Sequence, residues 1–497
     1  MSSDEEDVDL NDETTSLLET VTDDGGESMD IEDPLPSTQN SPAATTTTPP
    51  PPPPPPTSPP PTTTTVNAPN TRQLDLSLDP SLLNCKSYDC VPLVAAVHPS
   101  PISSLATTRC FRWVLTGSED GYIRKWDFFG SMNGKTSLTQ AQRHQHVDSV
   151  TLAGVLSSWW ENEEGVKNEE ESVSEPKLSP VYSMDIHSEA LWAVQGCENG
   201  SINLTSVRHD EGKTHHVLRN HTGPVSVLVI TPEETAVISG SWDKSVFEWD
   251  LHTGSVSRSY DGHSSQLSCA QFQPVYTQSD NEPVLWNTRN PNTLMTTSID
   301  GQCLLWDRRE PSTAARRLKV PDRTPPWCLS ACWSADGSKV YMGRRNGTVD
   351  EYDYASQKCI QSFRMPANSG PVSYVISMPN GKHIIWYEIE RKKKGTWITW
   401  TNPFILIKSA SNDNIRLWNT TTESSFTIRP ETEVGFAKPS KISSVIPFSI
   451  LAGHHGGTIS HIAIDPTCKY MITTSGNRGW DGTSTNACLF YDISPVL

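Results

Sequence analysis

The chain has 497 residues and a formal net charge of −19, with 58 Asp and Glu against 39 Lys and Arg. Phosphate contacts need a basic face, so this balance excludes a general DNA-binding surface while permitting a basic protein partner. There is no N-terminal signal peptide and no run of about 18 apolar residues, so a soluble intracellular chain is expected.

The stretch from Met1 to Thr71 contains no Lys or Arg, is rich in Asp and Glu before Pro34, and has almost no aromatic residues to nucleate a core. This composition predicts a disordered acidic tail. It includes the proline run Pro49 to Pro56 and flanking threonine runs, which favour an extended polyproline II rod. The rod reads as a semi-rigid spacer, or alternatively as a docking site for a proline-reading domain. Residues 1–84 are assigned to tail and linker, and 85–497 to the folded part.

The intervals that separate His98, Thr116, Asp120 and Trp126 recur unchanged between His221, Ser239, Asp243 and Trp249. His263, Thr296, Asp300 and Trp306 keep the last two intervals, with the first stretched by a polar insert around Gln278 to Asn292. Such a period predicts an all-β, seven-bladed WD-repeat β-propeller. The His precedes the innermost strand of a blade, the hydroxyl sits on the second strand, the Asp fills the next turn and the Trp anchors the third strand. The four can then form one buried hydrogen-bonded chain. The same residue types make a catalytic triad, but here a Trp accompanies each set and no G-x-S-x-G elbow exists. A structural role and no enzymatic activity are expected.

The other blades are worn copies. Asn199 and Asn346 stand in the Asp place, with Thr205 and Tyr352 in the Trp place, and His455, Thr473 and Tyr491 mark a last blade whose turn is enlarged by Arg478 to Asn486. At roughly 40 to 45 residues per blade, the stretch from Tyr88 to Leu497 holds seven blades plus long loops. The last copy ends on a third strand, Ala487 to Asp492. Its fourth is expected from Cys90 to Val97, which closes the ring and leaves no open edge.

An acidic stretch, Glu161 to Glu175, lies within an expected solvated loop at about 157–178. The eleven cysteines are scattered, and neither Cys85/Cys90 nor Cys328/Cys332 has a second pair at zinc-ligand spacing. They read as reduced core residues, and no cofactor or metal is expected. The sequon at Asn220 is expected to be idle.

One segment breaks the repeat. Asn368 occupies the His place of the sixth blade, so the turn Asp belongs at position 390 but falls at Asp413. Trp386-Tyr387-Glu388 must be encoded UGG-UAY-GAR, which contains a GUAYG sequence like a fungal intron donor. Thr401-Asn402 can spell the branch point ACUAAC, and Ser409 can supply an AG acceptor. Excision of the surplus codons would replace Trp386 to Ser409 with one residue, a Cys. A retained intron over about 386–409 is therefore the expectation. The rival is a genuine surface insertion whose basic run Arg391 to Lys394 binds a partner or acts as a nuclear signal. In the chain as it stands, Phe404 to Ile407 would replace Ile384 and Ile385 in the strand.

GSEDGYIRKWD at 117–127, SGSWDKSVFEWD at 239–250, PWCLSACWSADGSKVYMGRRNGTV at 326–349, and GHHGGTIS with SGNRGW at 453–480 resemble the WD-repeat subunit of the fungal SAGA transcriptional coactivator. The resemblance runs from about residue 85 to the end and departs at the 386–409 insertion. It implies a nuclear, non-enzymatic subunit that binds TATA-binding protein and other SAGA subunits and regulates delivery of TATA-binding protein to promoters. Acidic tail residues such as Asp4, Glu5, Glu6 and Asp7 would then compete with DNA for that protein's basic surface. The candidate contact rim carries the turns after the second strands, with Trp242, Arg344, Arg345, Arg478 and Trp480 expected close together. Two alternatives share the fold. The paired arginines resemble those of phosphoinositide-binding propellers, although Met342 stands where that family has Phe, and a ubiquitin-ligase substrate adaptor would leave no mark in the sequence.

Overall fold

A computed structural model of the chain describes residues 76–164, 177–279, 282–311, 313–321, 327–364, 371–388, 415–420, 448–454, 458–476 and 486–497. The acidic tail and proline rod, through residue 75, lie outside them. Residues 1–71 and 72–497 form separate units, and every strand among the described residues belongs to the second.

The ordered chain starts before the expected boundary at 85. Asp79 caps a short helix, α1 (Pro80–Asn84), by accepting from the Ser81 backbone N–H. Leu78 and Leu82 are buried in the same cluster as Ile462, Met471 and Leu489, so 76–84 belong to the ring and not to the tail. Strand β1 (Ser87–Val97) follows.

Seven sheets fill the described residues in chain order. The first holds β2 (Ile102–Thr107), β3 (Trp113–Ser118) and β4 (Tyr122–Asp127); β5 (Leu152–Ala153) joins β1, and β6 (Val155–Glu161) completes the first sheet as its fourth strand. Residues 157–161 are therefore strand, not loop, and the excursion that follows is closed by a bridge between Glu163 and Leu178. The second blade is β7 (Met184–Ile186), β8 (Trp192–Gly196), β9 (Ser201–Ser206) and β10 (Thr214–Arg219). The third is β11 (Val225–Ile230), β12 (Ala236–Ser241), β13 (Val246–Asp250) and β14 (Ser255–Ser259). The fourth is β15 (Leu267–Ser279), β16 (Glu282–Ser298), β17 (Cys303–Asp307) and β18 (Arg316–Arg317), and the polar insert lengthens the β15–β16 hairpin, pairing Thr277 with Leu285. Next come β19 (Ala331–Trp333), β20 (Lys339–Gly343), β21 (Thr348–Asp353) and β22 (Cys359–Arg364), and then β23 (Val372–Ser377), β24 (His383–Glu388), β25 (Ile415–Asn419) and β26 (Phe448–Leu451). The last blade is β27 (Thr458–Ile464), β28 (Tyr470–Gly476) and β29 (Ala487–Val496), with β1 as its fourth strand.

Ring closure rests on β1, which pairs antiparallel with β29 from Ser87↔Val496 to Val97↔Ala487, as the CVPLVAAV stretch predicts. Burial explains the strand order. Every residue of β12 is buried because it is packed on both faces, whereas the outer β14, SVSRS, is polar and partly exposed. Seven apolar clusters among the described residues fill the seams between blades. One joins Val94, Ile102 and Trp126 to Ile472 and Phe490, so first and last blades are sealed like the rest. Inner strands carry a recurrent bulge near their start, as at Ile102/Ser104, Val225/Val227 and Val372/Tyr374, which increases local twist.

Blade six differs from expectation. Ile384 and Ile385 keep their places in β24, paired with Trp418 and Leu417, and are not displaced by Phe404 to Ile407, which lie outside the described residues. Trp386 and Tyr387 extend the strand and are fully buried.

Candidate protein-interaction rim

The side chains that make the repeat also set the rim. In the third blade, Ser239 Oγ accepts from Trp249 Nε1 at 2.7 Å and meets His221 Nε2 at 2.7 Å. His221 Nδ1 lies 3.1 Å from Asp243 and 2.8 Å from Ser245 Oγ. Burial pushes the Asp243 carboxyl up, but hydrogen bonds from His221 and Ser245 outweigh it and hold it below the usual range. This is the complete tetrad. In the fourth blade Thr296 accepts from Trp306 and meets His263, both at 2.7 Å, while Ser298 links His263 to Asp300.

The first blade departs from the expected chain. Thr116 accepts from Trp126 at 2.9 Å and meets His98 at 2.8 Å, but His98 Nδ1 turns to the Ala96 carbonyl at 2.9 Å. Asp120 pairs instead with Arg124 at 2.8 Å. Burial holds His98 down to about 3 and His263 down to about 4, so both rings are neutral. In the last blade the histidine is His454, not His455: its Nε2 meets Thr473 at 2.7 Å and Ser475 Oγ meets its Nδ1. His455 lies outside the described residues.

Thr116, Ser239, Thr296 and Thr473 are fully buried, and in three of the four the hydroxyl oxygen is already engaged by an indole N–H. A nucleophile so placed has no route to a substrate. The geometry is that of clamps beside the turn between second and third strands, and in the first five blades that turn reverses through a left-handed residue. Gly121, Gly200, Gly301 and Gly347 supply it, and Lys244 fills the same place at φ 74° in the third blade.

Those turns make the candidate rim, and the five expected residues fare differently. Trp242, in the β12–β13 turn, stacks on Tyr182 with ring centres 5.6 Å apart. Arg345, in the β20–β21 turn, is half-buried with its guanidinium 5.1 Å over the Trp327 ring. Arg344 is not on the surface. It is 0% exposed and donates to Asp350 (2.8 Å), the Tyr352 hydroxyl (2.9 Å) and the Gly301 carbonyl (3.2 Å). Sequence reasoning missed this ion pair, which stands in for the missing histidine of the fifth blade. The placing of Arg344 and Asp350 on either side of one tight turn, with Tyr352 beyond, was its only signal. A phosphate-binding arginine pair needs both guanidinium groups free, so the phosphoinositide reading fails here. Arg478 and Trp480 lie outside the described residues.

The second blade replaces the clamp by Gln195, whose amide donates to Thr205 at 2.7 Å. Among the described residues no helix is long and apolar enough to cross a membrane, and no group of three or more His, Cys, Asp or Glu could hold a metal ion.

The family model for the SPT8 beta propeller matches residues 88–290, 278–391 and 400–494. The chain is 35% identical over 470 residues to SAGA complex subunit Spt8 of Schizosaccharomyces pombe, covering 82% of this chain and 79% of that protein. It is equally identical to SAGA complex subunit SPT8 of Saccharomyces cerevisiae, covering 82% and 73%. A more distant likeness, 26% over 28% of the chain, is to the small ribosomal subunit protein RACK1 of Brassica napus. The family model spans most of the chain, degenerate blades included, and two relatives are 35% identical over 82% of it; on this ground the chain belongs to the SPT8 β-propeller family.

Proposed function

We propose that the chain is a non-enzymatic scaffold subunit of a SAGA coactivator complex in the nucleus, and that it binds TATA-binding protein and regulates its delivery to promoters. The observation that carries this reading is the likeness to two SAGA subunits across 82% of the chain. A sealed ring whose loops vary while its clamps stay buried suits attachment of protein partners. Trp242 and Arg345 are the proposed rim contacts, since each presents an aromatic or guanidinium face beside a second ring.

The acidic tail is proposed to occupy the basic surface of TATA-binding protein that DNA otherwise covers. Charge complementarity of this kind acts mainly through association rate and salt dependence. The test compares full chain with a form lacking residues 1–70 in titrations against purified TATA-binding protein at several salt concentrations, with and without TATA-containing DNA. The full chain is expected to bind more tightly, with the steeper salt dependence, and to be displaced by DNA. Equal affinity and slope for both forms would remove the tail mechanism, and no binding by either would remove the TATA-binding protein reading.

A further inference from the structure

The strongest unassigned feature lies between the outer strands of the first two blades. Among the described residues β6 is the edge strand of its sheet and pairs only with β4. Outer strands of soluble proteins are usually blunted by charge or shortness, yet this one presents Leu156 at 44% and Trp159 at 56% exposure. Across from it runs the chain between β9 and β10. The two enclose a pocket of about 400 Å³ lined by Trp159, Trp160, Glu161, Glu163, Gly212 and Thr214.

Two features of this pocket point to a ligand. Trp160 is only 6% exposed, and its indole N–H has no acceptor among the described residues, whereas Trp126, Trp249 and Trp306 each donate to a hydroxyl. A buried donor left unmade is costly, so it marks a place where an acceptor belongs. Gly212 lies against that indole at φ +81°, where a Cβ would stand 2.4 Å from Trp160 Cβ; any side chain there would fill the space. The two charged residues that line the pocket are both acidic, with Lys213 exposed between Gly212 and Thr214 on the facing segment. Glu161 and Glu163 are exposed and have no ion pair among the described residues, Glu161 accepting only from the Tyr122 hydroxyl at 3.1 Å. Glu211, nearby, is neutralised by the buried Lys125 at 2.6 Å.

We propose that this groove binds an extended peptide segment bearing Lys or Arg. The peptide adds along the free edge of β6, places a cation on the Trp159 face between Glu161 and Glu163, and offers a backbone carbonyl to Trp160 Nε1. The proposal is independent of the TATA-binding protein reading.

The experiment uses the full chain and fluorescein-labelled (Lys-Val)₃, end-blocked, with (Glu-Val)₃ as control, read by anisotropy. The lysine peptide is expected to bind and the glutamate peptide not. Trp159→Ala should weaken binding by about 2- to 5-fold, as loss of an exposed cation–π contact implies. The double change Glu163→Lys with Glu161→Lys should weaken it by about 10-fold or more. Trp160→Phe should weaken it as well, because the phenyl ring keeps an apolar face but offers no N–H to a peptide carbonyl, and unchanged affinity in this variant would count against the proposal. Failure of (Lys-Val)₃ to bind, equal binding of (Glu-Val)₃, or unchanged affinity in the Trp159 and charge-reversal variants overturns the proposal.

Discussion

Replacing Trp386 to Ser409 by a single Cys should stabilise the sixth blade. In the other blades the two places occupied here by Trp386-Tyr387 hold Thr116-Gly117, Gln195-Gly196, Ser239-Gly240, Thr296-Thr297, Met342-Gly343 and Thr473-Thr474. The second place is small because the next blade presses on it: a Cβ would come within 2.5 Å of Val181 Cγ1 at Gly117, 2.7 Å of the Val225 carbonyl oxygen at Gly196 and 2.7 Å of Val372 Cγ1 at Gly343. In blade six Trp386 instead stacks on Trp418, ring centres 4.3 Å apart, and Trp418 Nε1, which elsewhere would donate to the hydroxyl, is buried with no partner among the described residues. We propose that the coding sequence retains an intron here. Excision gives Cys-Ala410-Ser411 where other blades have Thr-Gly-Ser or Ser-Gly-Ser, and the family match likewise leaves residues 392–399 uncovered. The orphaned N–H costs about 1–3 kcal/mol. Shrinking the connection from roughly 26 residues to a tight turn recovers about 2 kcal/mol of closure entropy. Against this stand the Trp–Trp stack, about 0.5–1.5 kcal/mol beyond area, and the area that Trp386 and Tyr387 bury, which the next blade is expected to recover by closing on Ala410 as it does on Gly117, Gly196 and Gly343. The shortened chain should therefore unfold at a temperature several degrees higher in calorimetry, and spliced transcripts should lack the surplus codons. A shortened chain that melts lower, together with transcripts that uniformly keep the segment, would refute the reasoning.

Three further outcomes follow from the clamps. Ser239→Ala strands both Trp249 Nε1 and His221 Nε2 in a buried site, so it should destabilise the ring by about 2–5 kcal/mol in chemical denaturation, with Ser239→Thr restoring most of it. Arg344→Met leaves the buried Asp350 carboxylate without its cation, for a loss of about 3–5 kcal/mol, and adding Asp350→Leu should recover much of that loss, since neither charge is then left alone. The pH dependence has a definite sign. His98 and His263, held down to about 3 and about 4 by burial, stay neutral in the fold but take up protons on unfolding below about 6.5. Their stabilising contribution is complete above that value and is lost as pH falls toward 4, at up to about 1.4 kcal/mol per unit for each ring. Urea midpoints should fall between pH 7 and 5, and His263→Gln should flatten the slope; a midpoint that rises on acidification would contradict the assignment.

The ring was legible because hydrogen-bond geometry fixes the chain separation between His98, Thr116 and Trp126, and a fixed separation is a countable pattern. The donor strand Cys90 to Val97 was legible for a similar reason, since an incomplete last blade demands one. What escaped depends on contacts that no interval encodes. Counting back from Thr473 by the His98-to-Thr116 interval lands on His455, whereas its neighbour His454 makes the bond. Arg344 looked like a surface residue because its neighbours resemble a phosphate-binding turn; only packing against Asp350 and Tyr352 shows it facing inward. The Trp159–Trp160 groove fell in a stretch read as loop, because outer strands follow no repeat and the acidic residues beyond Glu161 masked the strand before them. Of the rim set, Trp242 and Arg345 occupy the expected turns and remain proposals as contacts.

Native purification tests most directly whether this ring is a coactivator scaffold. The C-terminal Leu497 is 75% exposed, so a tag there should leave β29 and its pairing with β1 intact. Nuclear extract passed over the tagged full chain should yield, by mass spectrometry, the subunits of one SAGA coactivator complex in fixed proportion, with TATA-binding protein in lesser amount. Recovery of the chain with membrane-associated or ubiquitin-ligase components and without that assembly would contradict the scaffold role.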